Sequence, residues 1–282
     1  MKKILFAIVL LFAGNPKGLR YAIEADKYEV YAVRFATIAN FPVSSLVAGA
    51  DRARRMDIAM TVWVLKGSDG RIAVVDSGFH RDQYFKQYDV KNYIKPSDAI
   101  APLGLKADDV TDLFISHMHW DHAGGIDLFP SARVWIQKDE YDYYTSDAWQ
   151  SPRTHGGIDP EDVLEIVRRN TQGKVSFVRG DDETSISGVT FGSGGKHTWQ
   201  SQFVTATTPK ATTVVLASDN MYLYENLDVH KPISQTLDAA SNLRTQDRMR
   251  SIASDPRLLI PGHDPAVFER FPKVTDRIVR IE

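Results

Sequence analysis

Short apolar runs punctuated by turns dominate this chain, and long helical stripes are few. Met60-Thr-Val-Trp-Val-Leu65 and Ile72-Ala-Val-Val75 flank Gly67-Ser-Asp-Gly70, which predicts a hairpin. Tyr28 to Phe35 alternates loosely and predicts another strand. Val110 to Ser116 is a buried-strand run with β-branched and aromatic residues. Further strands are expected at Ala132–Ile136, Val175–Val178, Val189–Phe191, Gln202–Thr205, Thr213–Ala217 and Leu258–Ile260. Between these lie helical stretches. Residues 81 to 109 hold two polar ones, and Asp162–Arg169 puts Val163, Ile166 and Val167 on one face. The longest helix is expected over Ile233–Ile252, closed by Pro256. Ala39–Met60, with Pro42, Ser44-Ser45 and three arginines, predicts a long irregular excursion. Strands with interspersed helices in two halves suggest two sheets with helices outside.

Composition narrows the class. The chain has 282 residues, 43% hydrophobic and 25% charged, with a net charge of -2, an ordinary globular balance. Without a basic excess, nucleic acid is not an expected partner. Cysteine is absent, so disulfides and thiolate ligands are excluded and any metal must be held by nitrogen and oxygen. Lys2-Lys3 followed by the apolar run Ile4–Ala13 predicts a leader within residues 1–20 and an exported, periplasmic or secreted protein. That run is too short to span a bilayer, so no stable membrane anchor is expected. Residues 21–282 then make one domain.

The chemistry concentrates at Ser116-His-Met-His-Trp-Asp-His122, three imidazoles and a carboxylate within six residues. On an extended segment His117, His119 and Asp121 share a side. His122 falls on the other parity unless the chain bends, and Ala123-Gly124-Gly125 can supply a bend. Neutral imidazole and carboxylate suit zinc and similar divalent ions. Three distant residues also sit in loops at or near strand ends: His197, in Gly194-Gly-Lys-His-Thr198; Asp219, after Val214-Val-Leu-Ala-Ser218; and His263, in Ile260-Pro-Gly-His-Asp264. Asp76-Ser77-Gly78 ends a strand and serves either to orient a ligand or simply to turn the chain. Trp120 either walls a cleft or shields the cluster. His80, His155 and His230 are left without a role.

This set, His117-x-His119-x-Asp121-His122 followed by His197, Asp219 and His263, resembles the metallo-β-lactamase superfamily. Spacings of 75, 22 and 44 residues after His122, and Tyr222 three residues beyond Asp219, are similar to the N-acyl homoserine lactone lactonases within it. The resemblance implies an α/β (α+β) fold, the αβ/βα sandwich of two packed mixed sheets flanked by helices. It implies two divalent ions, zinc by expectation. His117, His119 and His197 would hold the first, Asp121, His122 and His263 the second, and Asp219 both. The implied activity is lactone opening by a bridging hydroxide, with Asp121 moving the proton, Tyr222 binding substrate and donating to it, and quorum quenching as the role. The other partner class left open is a second copy in a homodimer. The alternatives are another hydrolase on the same core, such as a β-lactamase, thioesterase or phosphotriesterase, or a metal-binding protein without activity. The aromatic stretch Tyr141–Trp149 and the 39–60 excursion are candidate walls for an acyl chain.

Overall fold

The computed structural model describes residues 25–282; the expected leader lies outside them. The longest pairing among the described residues is antiparallel, between the strands Tyr28–Pro42 and Arg55–Gly67. Its second strand turns back at Gly67–Gly70 into Ile72–Val75 as expected. Strict alternation sorts the side chains of Arg55–Gly67. Ile58, Met60, Val62 and Val64 pack to one side, and Ala59, Trp63 and Leu65 to the other.

A nine-stranded mixed sheet grows around this pair. From Ile72–Val75 it runs through Asp112–Phe114, Arg133–Gln137 and Val175–Val178, all parallel. On the other edge it ends with Ile278–Arg280 and Lys273–Thr275. The second sheet has five strands, in the order Leu259–Pro261, Thr213–Ser218, Gln202–Thr207, Val189–Ser193, Asp182–Ile186.

The buried clusters define the layers. Trp63, Phe114, Val204 and Leu216 lie between the two sheets, with Phe114 edge-on to Phe191 at 5.1 Å. Phe35, Val62, Leu113 and Val134 cover the outer face of the large sheet together with Ile166 of the helix Pro160–Thr171. Phe203, Val215 and Leu259 cover the outer face of the small sheet with Met249 of the helix Ala239–Ile252. Helix, sheet, sheet, helix is the expected αβ/βα sandwich. Among the described residues no helix is long and apolar enough to cross a membrane.

Two local expectations are corrected. Both ends of the 39–60 stretch are strand, because bulges at Arg34/Ala36 and Ile38/Phe41 bend Tyr28–Pro42 without breaking its pairing with Arg55–Gly67. The excursion is confined to residues 43–54, opened by the short turn Val43–Ser45. The long helix begins at Ala239, not Ile233. Asp238 caps it by accepting from Ser241 N at 2.9 Å, and Ile233 instead bridges to Val47. It remains the longest helix among the described residues.

Candidate metal centre

Strand ends make the site. Ile72–Val75 and Asp112–Phe114 run parallel with Val75 beside Phe114, so Asp76 and the Ser116–His122 segment emerge together. In the second sheet Thr213–Ser218 and Leu259–Pro261 are also parallel, with Ser218 beside Pro261. Asp219 and His263 therefore emerge side by side. Ser116 Oγ lies 2.8 Å from Ser218 Oγ, and Gln202 N donates to Ser116 O at 2.8 Å, which ties the two sheets at this edge. His197 comes from the loop between Val189–Ser193 and Gln202–Thr207.

The side-by-side alternation expected for His117, His119 and Asp121 fails after His119. A helical turn, Trp120–Ala123, starts there, with Ala123 N donating to His119 O at 2.8 Å. The bend precedes the glycines rather than using them. It separates the donors into two groups: His117, His119, His197 and Asp219; and Asp121, His122 and His263. Within each group the donor atoms lie within 4.8 Å of one another. Asp219 faces both. Its Oδ2 is 3.2 Å from His197 Nε2 and 3.6 Å from His117 Nε2. Its Oδ1 is 3.0 Å from His263 Nε2 and 3.2 Å from His122 Nε2. Asp121 Oδ2 completes the second group at 3.5 Å from His122 Nε2 and 3.6 Å from His263 Nε2.

The outer ring atoms decide what the inner ones can do. His197 Nδ1 donates to Gln235 O at 2.7 Å, and His263 Nδ1 donates to Ala59 O at 3.0 Å. A carbonyl only accepts, so in the neutral ring each Nε2 points a lone pair inward. His122 Nδ1 is held by Asp76 Oδ2 at 2.8 Å, so Asp76 orients a candidate ligand. Ser116 N and Ser218 Oγ donate to the same carboxylate, at 2.8 and 2.9 Å. Lone pairs and carboxylate oxygens thus converge on each other. His119 Nδ1 sits 3.0 Å from His117 Nε2 and 2.8 Å from His197 Nε2. His122 Nε2 and Asp219 Oδ1 are buried and have no hydrogen-bond partner. The Nε2 lone pairs of His122, His197 and His263 that meet the Asp219 oxygens in a buried pocket need positive charge between them, and this donor set fits divalent cations.

Electrostatics point the same way. Burial and neighbouring imidazoles push His117 well below its usual range, and push His119 down to about 3. Both rings are therefore neutral and free to act as nitrogen donors. Burial opposes charge on His122 and His263, but Asp219 and Asp121 outweigh it and raise both. Burial likewise opposes an ionised Asp219, yet His122 and His263 hold its carboxyl well below the ordinary range. Positive charge is demanded at the centre, whether protons or a metal supply it.

Two supporting residues were not visible in sequence. Glu140, on the helix Lys138–Tyr144, is fully buried. Its Oε1 accepts from Met118 N at 3.0 Å and its Oε2 from Gln200 N at 2.6 Å, which clamps the His117–His119 segment to the His197 loop. An acidic residue in an aromatic stretch carries no sign of this. Gly157 has φ +80°, and a Cβ there would lie 2.8 Å from His119 Cδ2. Its carbonyl accepts from Trp120 N at 2.9 Å. The Gly156-Gly157 doublet was the available signal.

A cleft of about 210 Å³ opens on the cluster, with His119, Asp121, Asp219, Tyr222 and His263 at its base. Its walls include Ile38 and Phe41 from before the excursion, Leu46 from within it and Ile58 from after it, so part of the 39–60 stretch does line it. Trp120 lines it too, stacked on Tyr84 at 3.9 Å. Tyr222 Oη lies 3.5 Å from His197 Nδ1, a contact too long to hold the hydroxyl while that nitrogen serves Gln235. Burial and the nearby Asp219 raise its pKa well above the usual range, so it stays a protonated donor. Of the unassigned histidines, His80 pairs with Asp127, His155 stacks on Trp149, and His230 pairs with Asp247 at the surface.

Comparison with known proteins gives a consistent picture. The model of the metallo-beta-lactamase superfamily matches residues 59–263. The N-acyl homoserine lactonase AttM of Rhizobium johnstonii is 26% identical over 187 residues, 64% of this chain and 67% of that protein. The N-acyl homoserine lactonase of Bacillus cereus is 24% identical over 222 residues, 74% of this chain and 82% of its own. Among solved structures, a B. thuringiensis AiiA mutant with N-decanoyl-L-homoserine bound at its active site superposes with TM-score 0.70 at 20% identity, covering 89% of this chain and 99% of that one. AidC, a dizinc quorum-quenching lactonase with bound product, gives TM-score 0.65 at 18% identity, with 86% and 90% covered.

Proposed function

This chain belongs to the metallo-beta-lactamase superfamily, and from that premise we infer that it is a metal-dependent hydrolase that opens lactones of the N-acyl homoserine type. The observation that carries the reading is Asp219, one carboxylate whose two oxygens face two separate groups of inward-pointing donors. His117, His119 and His197 would hold one divalent cation and Asp121, His122 and His263 the other, with Asp219 shared and zinc the cation suited to these donors. Such cations, when bound, lower the pKa of water to about 7 and polarise a carbonyl oxygen.

The chain's own groups supply the rest. Water adds to the lactone carbonyl carbon as the ring C–O bond breaks, leaving a hydroxy acid. Asp121, whose side chain is 14% exposed on the cleft wall, takes the proton from the attacking water and gives it to the departing ring oxygen. Tyr222 Oη donates to the substrate oxygen that gains charge. Ile38, Leu46 and Ile58 keep bulk water from the reacting carbonyl.

Tyr222→Phe is expected to lower kcat by about a hundredfold, the usual cost of one lost donor, while metal content stays at the wild-type level. Steady-state kinetics with elemental analysis of the same sample checks both, and wild-type kinetics would remove Tyr222 from the reaction. The activity itself is tested by following acid release from N-acyl homoserine lactones beside a β-lactam, a thioester and a phosphotriester. Lactone turnover well above the other three supports the reading, and turnover only of another class overturns it. The Lys2-Lys3 head and apolar Ile4–Ala13 run support export, which N-terminal sequencing of the mature protein tests.

A further inference from the structure

Two hollows meet at the metal centre. The cleft of about 210 Å³ falls short of the roughly 300–1,000 Å³ typical of small-molecule sites. The second hollow, of about 550 Å³, shares His119, Gly156 and Gln235 with the first and also touches His197. Its far wall is Tyr143, Trp199 and Leu237. Trp199 and Tyr143 stack at 4.0 Å with an interplanar angle of 10°. Five large apolar side chains are conspicuously exposed among the described residues, and two of them, Trp199 at 42% and Leu237 at 65%, line this one groove. Such clustering marks a contact surface rather than scatter.

The groove is also fixed in place. Lys196 Nζ donates to Trp199 O at 2.6 Å and to Gln200 Oε1 at 3.1 Å, and lies 5.4 Å from the indole centroid. Gln200 N is anchored on Glu140. Leu237 N donates to Lys196 O at 2.7 Å, and Thr236 Oγ1 donates to the same carbonyl at 2.9 Å. A rigid aromatic platform that stays exposed beside candidate metal ligands loses little on meeting a ligand.

We propose that the Tyr143–Trp199–Leu237 groove is the acyl subsite, and that Trp199 sets the preference for long over short acyl groups. This rests on the lactone-opening reading. The reacting ring occupies the smaller cleft over Asp121 and Tyr222, and the acyl group leaves it past His119 along the indole face.

The test compares γ-butyrolactone, N-butanoyl-homoserine lactone and N-dodecanoyl-homoserine lactone on the metal-loaded protein. Trp199→Ala should lower the ratio of kcat/KM for the dodecanoyl lactone over γ-butyrolactone by about tenfold, chiefly through KM, and Trp199→Phe should restore it. Damage to the metals would slow all three lactones alike and cancel in the ratio. A Trp199→Ala ratio equal to wild type, or a ratio that instead collapses in Phe41→Ala on the other wall, overturns the assignment. Should the wild type open none of the three, the lactone reading fails and the groove is judged by direct titration with dodecanoate. Weaker binding in Trp199→Ala than in wild type then sustains it, and equal binding overturns it.

Discussion

Asp219→Asn is expected to remove at least one cation from the centre and to lower hydrolysis by about a thousandfold or more, since the charge stabilisation lost is worth several kcal/mol. The substitution keeps the shape of the side chain. It removes the negative charge and turns one of two oxygens into an NH2 group. Asp219 Oδ1 faces His122 and His263, and Oδ2 faces His197 and His117. Whichever way the amide turns, one of these groups meets a donor where it now meets an oxygen. Elemental analysis and initial rates on one preparation check the outcome. Two cations per chain and wild-type turnover in this variant would show that Asp219 is not the shared ligand.

Asp76→Asn is expected to weaken binding of the cation in the His122 group by about ten- to a hundredfold. It should also destabilise the protein by about 1–3 kcal/mol. Asp76 is fully buried and its two oxygens serve three donors: Ser116 N, His122 Nδ1 and Ser218 Oγ. Its backbone has φ +59°, a conformation that asparagine tolerates better than most residues, so the loss is read from hydrogen bonding rather than from strain. The amide must set a donor against at least one of the three. Chelator competition reports the affinity and urea unfolding the stability. Wild-type values in both would reduce Asp76 to a turn residue.

The histidine cluster was legible because four nitrogen and oxygen donors crowd into six residues directly after a strand, and because strand-end loops supplied the missing partners. The two-sheet architecture was legible from turns such as Gly67–Gly70 and from alternation such as that around Trp63. What failed was local. Pro42 and the serines that follow it suggest a loop, yet bulges carry the strand Tyr28–Pro42 up to that proline. Ile233 and Leu237 keep helical spacing, but the cap at Asp238 starts the helix after both. Parity placed Asp121 with His117 and His119, and the turn at Trp120 moves it to His122 and His263. Glu140 and Gly157 act through tertiary contacts. For Glu140 neither residue type nor spacing announces such contacts, and for Gly157 the Gly156-Gly157 doublet marks a bend without naming its partner.

The central claim is that seven side chains from two sheets cage a pair of cations. Metal content per chain, measured after dialysis of zinc-loaded protein against metal-free buffer, tests it most directly. The account predicts two zinc ions per wild-type chain, falling to one or none in Asp219→Asn. Wild-type protein that retains no zinc, manganese, cobalt or iron above the dialysis background would contradict it.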